Sequence, residues 1–331
     1  MQALLDTIAT LARPTGAARV FHGRGGCHPG CEAWALDAYP PVWLLTRYDQ
    51  PATDEELATI GAALAARWQQ IAPGEPLNWV HQDRDDARAR NRLMAGTVPE
   101  PHVVEEDGAR YRVHLLQGTN HGLFLDMAAG RRWVRDWAAR QPGGRVLNLF
   151  AYTGAFSVAA LQGGAASVVN IDMARGALAT AQRNHELNGL HGASFLPHDI
   201  FNSWGRLTRG GPYDLVILDP PSYQKGSFVA TKDYARLVRR LPDLLAPSGH
   251  ALLCLNAPSL GPEFLQPRRL GGDQGLQELG AEAPGLEVVE RLANPPVFAD
   301  VSAARALKVL VCRQPPAAPA PTAPAAPAAS P

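Results

Sequence analysis

Three aspartates, Asp172, Asp199 and Asp219, each close a short apolar run of strand length: Val168 to Ile171, Phe195 to His198 and Asp214 to Leu218. If these strands lie parallel in one sheet, their carboxyl ends share the edge at which open α/β sheets bind ligands. A carboxylate only accepts hydrogen bonds, so the set suits a ligand rich in hydroxyl and amino hydrogens, such as a nucleoside. Asp172 would take the ribose hydroxyls, and Asp199 would accept an adenine amino group while Ile200 covers the ring. The third acid opens the run Asp219-Pro220-Pro221-Ser222-Tyr223. Its prolines remove backbone donors and fix φ. That leaves a rigid acceptor-only array able to orient an exocyclic amine or ring nitrogen, with an aromatic to stack on a planar base. Methyl transfer from a sulfonium would need little more than this, an in-line approach and a nucleophile with a free lone pair.

These residues need a frame to hold them. Val146 to Phe150 reads as a strand, Ala151 to Gly154 as a turn, Ala155 to Gly163 as a helix, and Val168 to Ile171 as the next strand. A dinucleotide loop at such a turn needs G-x-G-x-x-G so that backbone can close on a pyrophosphate. Here only Gly154 is present, flanked by Tyr152, Thr153 and Phe156. The turn therefore favours a ligand without phosphates, an adenosine carrying an amino-acid tail, and excludes a nicotinamide-dependent oxidoreductase. Upstream, Asp126 lies between Leu125 and Met127 and is either a helix cap or part of the ligand site.

The chain of 331 residues exceeds one average domain, and its 46% hydrophobic content can supply full cores. We expect a small N-terminal α/β domain over 1–95, a larger domain over 96–313 and a disordered Ala/Pro-rich tail over 314–331. In the first, Met1 to Arg13 reads as a helix and Ala18 to His22, Trp34 to Tyr39 and Val42 to Tyr48 as strands. A helix capped by Thr53 or Asp54 runs to about Ile71, and Leu77 to His81 is a further strand. Arg84 to Arg92 reads as a charged connector, and Val103 to Leu116 as a hairpin about Asp107-Gly108. Cys27 and Cys31 flank a histidine but lack a fourth ligand, so no metal is expected and both thiols read as buried. Four cysteines, no leader-like N-terminus and no apolar run of membrane length point to a reducing cytoplasm and no membrane. Zero formal net charge means that any nucleic acid must be met by a local patch. The most basic segment near the acids is Lys225 to Arg240, read either as a phosphate-positioning surface or as a solvated helix face.

Residues 103–313 resemble a class I S-adenosylmethionine-dependent methyltransferase, and most of all the group containing the bacterial 23S ribosomal RNA enzymes that make 5-methylcytosine and 7-methylguanine. The resemblance is carried by Gly122 to Asp126, Asn148 to Ser157, Asp172, Asp199 and Asp219 to Tyr223. It implies a Rossmann-like domain, a mostly parallel seven-stranded sheet ending in an antiparallel C-terminal hairpin (Leu286 to Leu292 with Ala306 to Cys312). It also implies S-adenosylmethionine as cofactor, held by Phe150, Tyr152, Thr153, Gly154, Asp172, Met173, Asp199, Ile200 and Asp219 with Asp126 nearby. Asp219, Pro220, Tyr223 and Asn256 are the implied catalytic set, and an RNA base, most naturally in 23S ribosomal RNA, the implied acceptor. A leading RNA-binding PUA domain, present in the cytosine enzymes, is not expected in this sequence.

Carbon-5 methylation of cytosine needs a thiolate in the cleft. Cys254 lies inside the apolar run His250 to Asn256, where a thiol reads as a small buried hydrophobe, while Asn256 resembles the guanine enzymes. Transfer to nitrogen is therefore favoured. The alternatives are transfer to a protein side chain or small-molecule amine, and a non-catalytic RNA-binding module; a homodimer is a further possibility.

Overall fold

The computed structural model describes residues 1–84, 89–221, 223–224, 228–265 and 286–316. The first part of the chain forms α1 (Gln2–Ala9), β1 (Ala18–His22), β2 (Trp34–Tyr39), β3 (Val42–Tyr48), α2 (Asp54–Ile71), β4 (Asn78–Arg84) and β5 (Ala89–Ala95). These five strands make one sheet in sequence order, antiparallel except between β3 and β4. A parallel pair needs a crossover, and α2 supplies it. Thr53 accepts from the Glu56 N–H at 3.2 Å while Glu56 accepts from the Thr53 N–H at 2.9 Å, a reciprocal cap that fixes where α2 begins. Its buried stripe, Leu57, Ile60, Leu64 and Trp68, keeps helical spacing against the sheet.

β5 corrects the reading of Arg84 to Arg92 as a connector: from Ala89 on, this charged run pairs with β4. It is an edge strand whose side chains stay largely in water, so its polarity gave no strand signal. Beyond it, β6 (His102–Glu106) and β7 (Ala109–Val113) form the hairpin about Asp107 and Gly108, both at positive φ (50° and 79°) as a tight two-residue turn requires. The hairpin is a mortar between layers. Val104, Tyr111 and Val113 pack with Tyr39, Leu44 and Val80 of the first sheet and with Val158 of the second unit.

The remaining elements are α3 (Ala128–Arg140), β8 (Arg145–Leu149), α4 (Ala155–Gln162), β9 (Ser167–Ile171), α5 (Arg175–Leu187), β10 (Ala193–Leu196), α6 (Trp204–Gly210) and β11 (Tyr213–Leu218). After them come β12 (Tyr223–Gln224), β13 (Phe228–Val229), α7 (Ala230–Val238), α8 (Leu241–Leu244), β14 (Leu245–Leu255), β15 (Glu287–Leu292) and β16 (Lys308–Arg313). Seven strands form a sheet ordered β10-β9-β8-β11-β14-β16-β15, in which only β16 runs against its neighbours. Both faces are covered, which is why the central strands read as unbroken apolar runs. Leu147, Leu149, Val216 and Leu218 pack under α7 and α8. Val146, Leu215, Ile217 and Leu252 pack under α3 and α4. Strand order reverses between β8 and β11, and the crevice beyond their carboxyl ends is the expected ligand position in such a sheet.

Among the described residues no helix is long and apolar enough to cross a membrane. The expected tail falls largely outside the described residues, as do Ser222, Lys225 and most of the glycine-rich stretch before β15.

Candidate active site

A cavity of about 520 Å³ opens at that reversal point. Its floor is the segment leaving β8, where Phe150, Tyr152 and Gly154 hold φ of 57°, 47° and 72°. Left-handed backbone is uncommon for aromatic residues, and two such positions within three residues need outside support. Asp172 gives it. One carboxylate oxygen accepts from the Tyr152 N–H and the other from the Ala174 N–H, each at 2.8 Å. The acid is thereby fixed at the end of β9, with lone pairs left over on the cavity side.

Gly154 stands differently from its neighbours. It is absent from the cavity wall and faces α5, where an added Cβ would come within 2.9 Å of the Ala181 methyl. Having no side chain lets the turn enter α4 against a close helix. Gly154→Ala is expected to cost about 1–2 kcal/mol from backbone conformation alone, and more from the overlap. Chemical denaturation of both proteins would measure it, and an unchanged midpoint would refute this account.

The second wall is the segment 120–127. Thr153 donates its hydroxyl to the Gly122 carbonyl at 2.6 Å, and the Tyr152 hydroxyl accepts from the Gly122 N–H at 3.1 Å. The Phe124 and Tyr152 rings lie 5.3 Å apart. Thus Tyr152 and Thr153 line the cavity while clamping the opposite wall. That wall carries Asp126 on a short 3-10 turn with no side-chain capping bond, so of its two readings the structure places it in the cavity. Asn256 follows β14 and reaches the Asp126 carboxylate at 3.5 Å, a weak contact.

Asp219 and Pro220 leave β11 into the same space. Burial, then the neighbouring charge of Asp126, pushes the Asp219 carboxyl from 3.8 up to about 7, with Arg131 opposing. Burial likewise raises Asp126, held back by Arg19 and Arg131. Arg131 is itself buried, bidentate to Glu106 at 2.6 and 2.7 Å, and donates to the Phe124 carbonyl at 2.9 Å. Asp199 is also on the wall, but β10 ends at Leu196, so the acid sits in the turn beyond rather than at the strand end. There it accepts from the Phe201 N–H at 2.9 Å and from Asn202 at 2.7 Å. Buried Ile200 and exposed Met173 complete this side.

Of the residues expected from sequence, Asp126, Phe150, Tyr152, Thr153, Asp172, Met173, Asp199, Ile200, Asp219, Pro220 and Asn256 line one cavity. The Tyr223 side chain lies outside the described residues. The wall is rich in acceptors and apolar surface and has no glycine nest for phosphates, so a cationic nucleoside fits it and a pyrophosphate does not.

Two arrangements were not legible from sequence. Beneath the floor, Asn148 donates to Asn170 (2.9 Å), Asn170 to Ser157 (3.0 Å), and Ser157 meets His185 (2.8 Å), all buried. His185 donates from Nδ1 to the Ala181 carbonyl, leaving Nε2 as acceptor for the serine, and burial lowers its pKa. The Glu106–Arg131 pair is the other. Both join residues far apart in the chain.

The thiols settle elsewhere. Cys254 is fully buried in β14 among the residues under α3 and α4, and burial, then Asp219, raises its pKa well above the ordinary value. Cys31 and Cys312 are buried, whereas Cys27 is exposed, correcting the expectation that both loop thiols are covered. None of the four cysteines lines the cavity.

Residues 18–313 match the family model described as S-adenosylmethionine-dependent methyltransferase. The chain is 32% identical over 291 residues to Ribosomal RNA large subunit methyltransferase I of Aeromonas salmonicida, covering 86% of this chain and 72% of that one. It is 34% identical over 239 residues to Ribosomal RNA large subunit methyltransferase K/L of Shewanella frigidimarina, covering 67% of this chain but only 32% of that one. Among solved structures, the methyltransferase-assigned protein SMU.776, complexed with SAH, superposes with a TM-score of 0.74 at 26% identity, covering 91% of this chain and 76% of that one.

Proposed function

This chain belongs to the S-adenosylmethionine-dependent methyltransferase family, and on that premise we propose that it methylates a base nitrogen of RNA, with 23S ribosomal RNA as the substrate. It is an enzyme, and S-adenosylmethionine is its cofactor. The relatives' names support the substrate. The nitrogen is supported by one observation: no thiol lines the cavity, and the nearest candidate in sequence, Cys254, is buried in the core with its thiolate disfavoured. Residues 96–313 would form the catalytic unit and 1–95 an accessory one.

Bound S-adenosylmethionine supplies an electrophilic methyl carbon; the acceptor lone pair forms the new C–N bond while the C–S electron pair leaves with sulfur. The chain's residues do the rest. Asp172 would hold the ribose hydroxyls, Asp199 the adenine amino group, and Phe150 and Ile200 the ring faces. Pro220 and Asp219 would present acceptors to the target nitrogen's hydrogens, with Asn256 steadying the base edge and Tyr223 the expected stacking partner. Where the acceptor is an exocyclic amine, its departing proton needs a base. The Asp219 carboxylate, with a pKa of about 7, suits that task at neutral pH. Where it is a ring nitrogen without hydrogen, the same carboxylate offsets the positive charge left on the product.

The test uses 23S ribosomal RNA from a strain lacking this gene, purified protein and methyl-labelled S-adenosylmethionine, followed by digestion to nucleosides and mass spectrometry. Label is expected in 7-methylguanosine or N2-methylguanosine and is expected to persist in Cys254→Ala. Label in 5-methylcytidine that disappears in Cys254→Ala would overturn the choice of atom. Labelling of protein or of an amine, with none in RNA, would overturn the substrate.

A further inference from the structure

A second cavity of about 400 Å³ lies between the face of the five-stranded sheet and the segment 119–126. It shares Arg84, Asn120, Phe124, Asp126, Asn256 and Leu307 with the cofactor cavity, so the two adjoin along those residues. The catalytic carboxylate Asp219 lies on the first cavity alone, and Asp126 and Asn256 face both. A group entering the second cavity therefore reaches the reacting end of the first beside Asp126 and Asn256.

The lining has the chemistry of a nucleotide site. The Arg24 guanidinium lies 4.1 Å, and that of Arg84 5.8 Å, from the centroid of the Tyr48 ring. Both side chains are half-buried, and neither makes an ion pair among the described residues. Arg19, deeper in the same cavity, is by contrast neutralised by a bidentate bond to Asp37 at 2.7 and 3.0 Å. Two guanidiniums kept on an aromatic plane, with no carboxylate partner among the described residues, are poised for an external anion, and guanidinium is the side chain best matched to phosphate. His121 lines the cavity as well. Its Nδ1 meets the His114 carbonyl at 3.0 Å and must carry the hydrogen, while its buried Nε2 has no partner among the described residues.

We infer that this second cavity is the acceptor-nucleotide pocket, into which a base turned out of the RNA enters beside Asp126 and Asn256 while Arg24 and Arg84 bind the flanking phosphates. The inference rests on the RNA reading above and adds the groups that hold the acceptor. Chemistry on a base requires its removal from the stack. Single-stranded RNA is gripped by cations that track its backbone and by stacking platforms.

The experiment compares wild type, Arg24→Ala, Arg84→Ala, the double variant, the Arg→Lys counterparts, and the exposed-helix control Arg183→Ala. The substrate is unmodified 23S ribosomal RNA transcribed in vitro. S-Adenosylmethionine binding and thermal unfolding are expected to match wild type in the Arg24 variants, whose residue lines the second cavity alone. The double alanine variant is expected to raise the KM for RNA by about tenfold with a much smaller change in kcat. Its plot of log affinity against log salt concentration should flatten by roughly 1.4, or about 0.7 for each lost contact to a single strand. Lysine variants should restore part of both effects, and Arg183→Ala should change neither. If wild type methylates the RNA and the alanine variants keep its KM and salt slope, the pocket assignment is overturned and the RNA reading stands. If wild type labels no RNA, both fall.

Discussion

Asp219→Asn is expected to lose methyl transfer by at least about 100-fold, and at the same time to be more stable than the parent chain. The two effects share one cause. The Asp219 carboxyl is carried from 3.8 up to about 7 by burial and by Asp126. Between those values the folded protein binds a proton that the unfolded chain has released. Stability from this group is therefore complete below about pH 4, declines as pH rises through about 7, and is absent above. Asparagine never ionises and escapes the decline. Allowing for the partial exposure of Asp219, the gain at pH 8 is on the order of 2 kcal/mol, shrinking to nothing near pH 4. Paired thermal melts at the two pH values measure it. The activity of the parent chain should also fall on the acid side of about pH 7, as the proton acceptor fills. An Asp219→Asn protein that still turns over, or that melts as wild type does at pH 8, would remove the carboxylate from the place given to it here.

Arg131→Met is the second large effect, with an expected loss of about 3–5 kcal/mol. Arg131 and Glu106 keep only 5% and 8% of their side chains exposed. Removing the guanidinium strands a carboxylate in the core, and the Phe124 carbonyl loses its donor. The double variant Arg131→Met/Glu106→Leu should recover most of that loss, because matched apolar groups replace both charges. It should not recover the pH profile. Arg131 holds down the pKa values of both Asp126 and Asp219, so in the double variant the acid limb of activity should move to higher pH. Urea denaturation of the three proteins tests the first part, and pH–rate profiles test the second. Equal instability of single and double variants would show that the pair acts through packing rather than charge.

The sheet that carries the site was legible because parallel strands buried on both faces write themselves as apolar runs, and their terminal acids interrupt those runs sharply. Asp172 and Asp219 follow this pattern, and β1 to β3 fall where alternation and turn residues put them. Asp199 shows the limit: Leu196 ends the ladder three residues earlier, since pairing with β9 decides a strand's end and sequence pattern does not. β5 escaped notice because an edge strand in water needs no apolar face. Glu106 with Arg131, and Tyr152 and Thr153 with Gly122, escaped for another reason. Each joins segments 25 to 31 residues apart through side chains whose types are common on any surface. Gly154 stood out in the sequence, but the closeness of Ala181 on α5 did not, because a single glycine does not reveal which helix packs against it.

The turn from Phe150 to Gly154 stores unfavourable backbone angles that Asp172 and the Gly122 segment hold in place. The cost of shaping this pocket is met once, when the chain folds, and is not charged again at each catalytic cycle. A ligand arriving there meets a finished surface, so its binding should consume little conformational entropy and should be fast relative to any rearrangement of the floor. What varies from one turnover to the next is then the arrival and departure of the acceptor, through the cavity that adjoins the one this turn shapes.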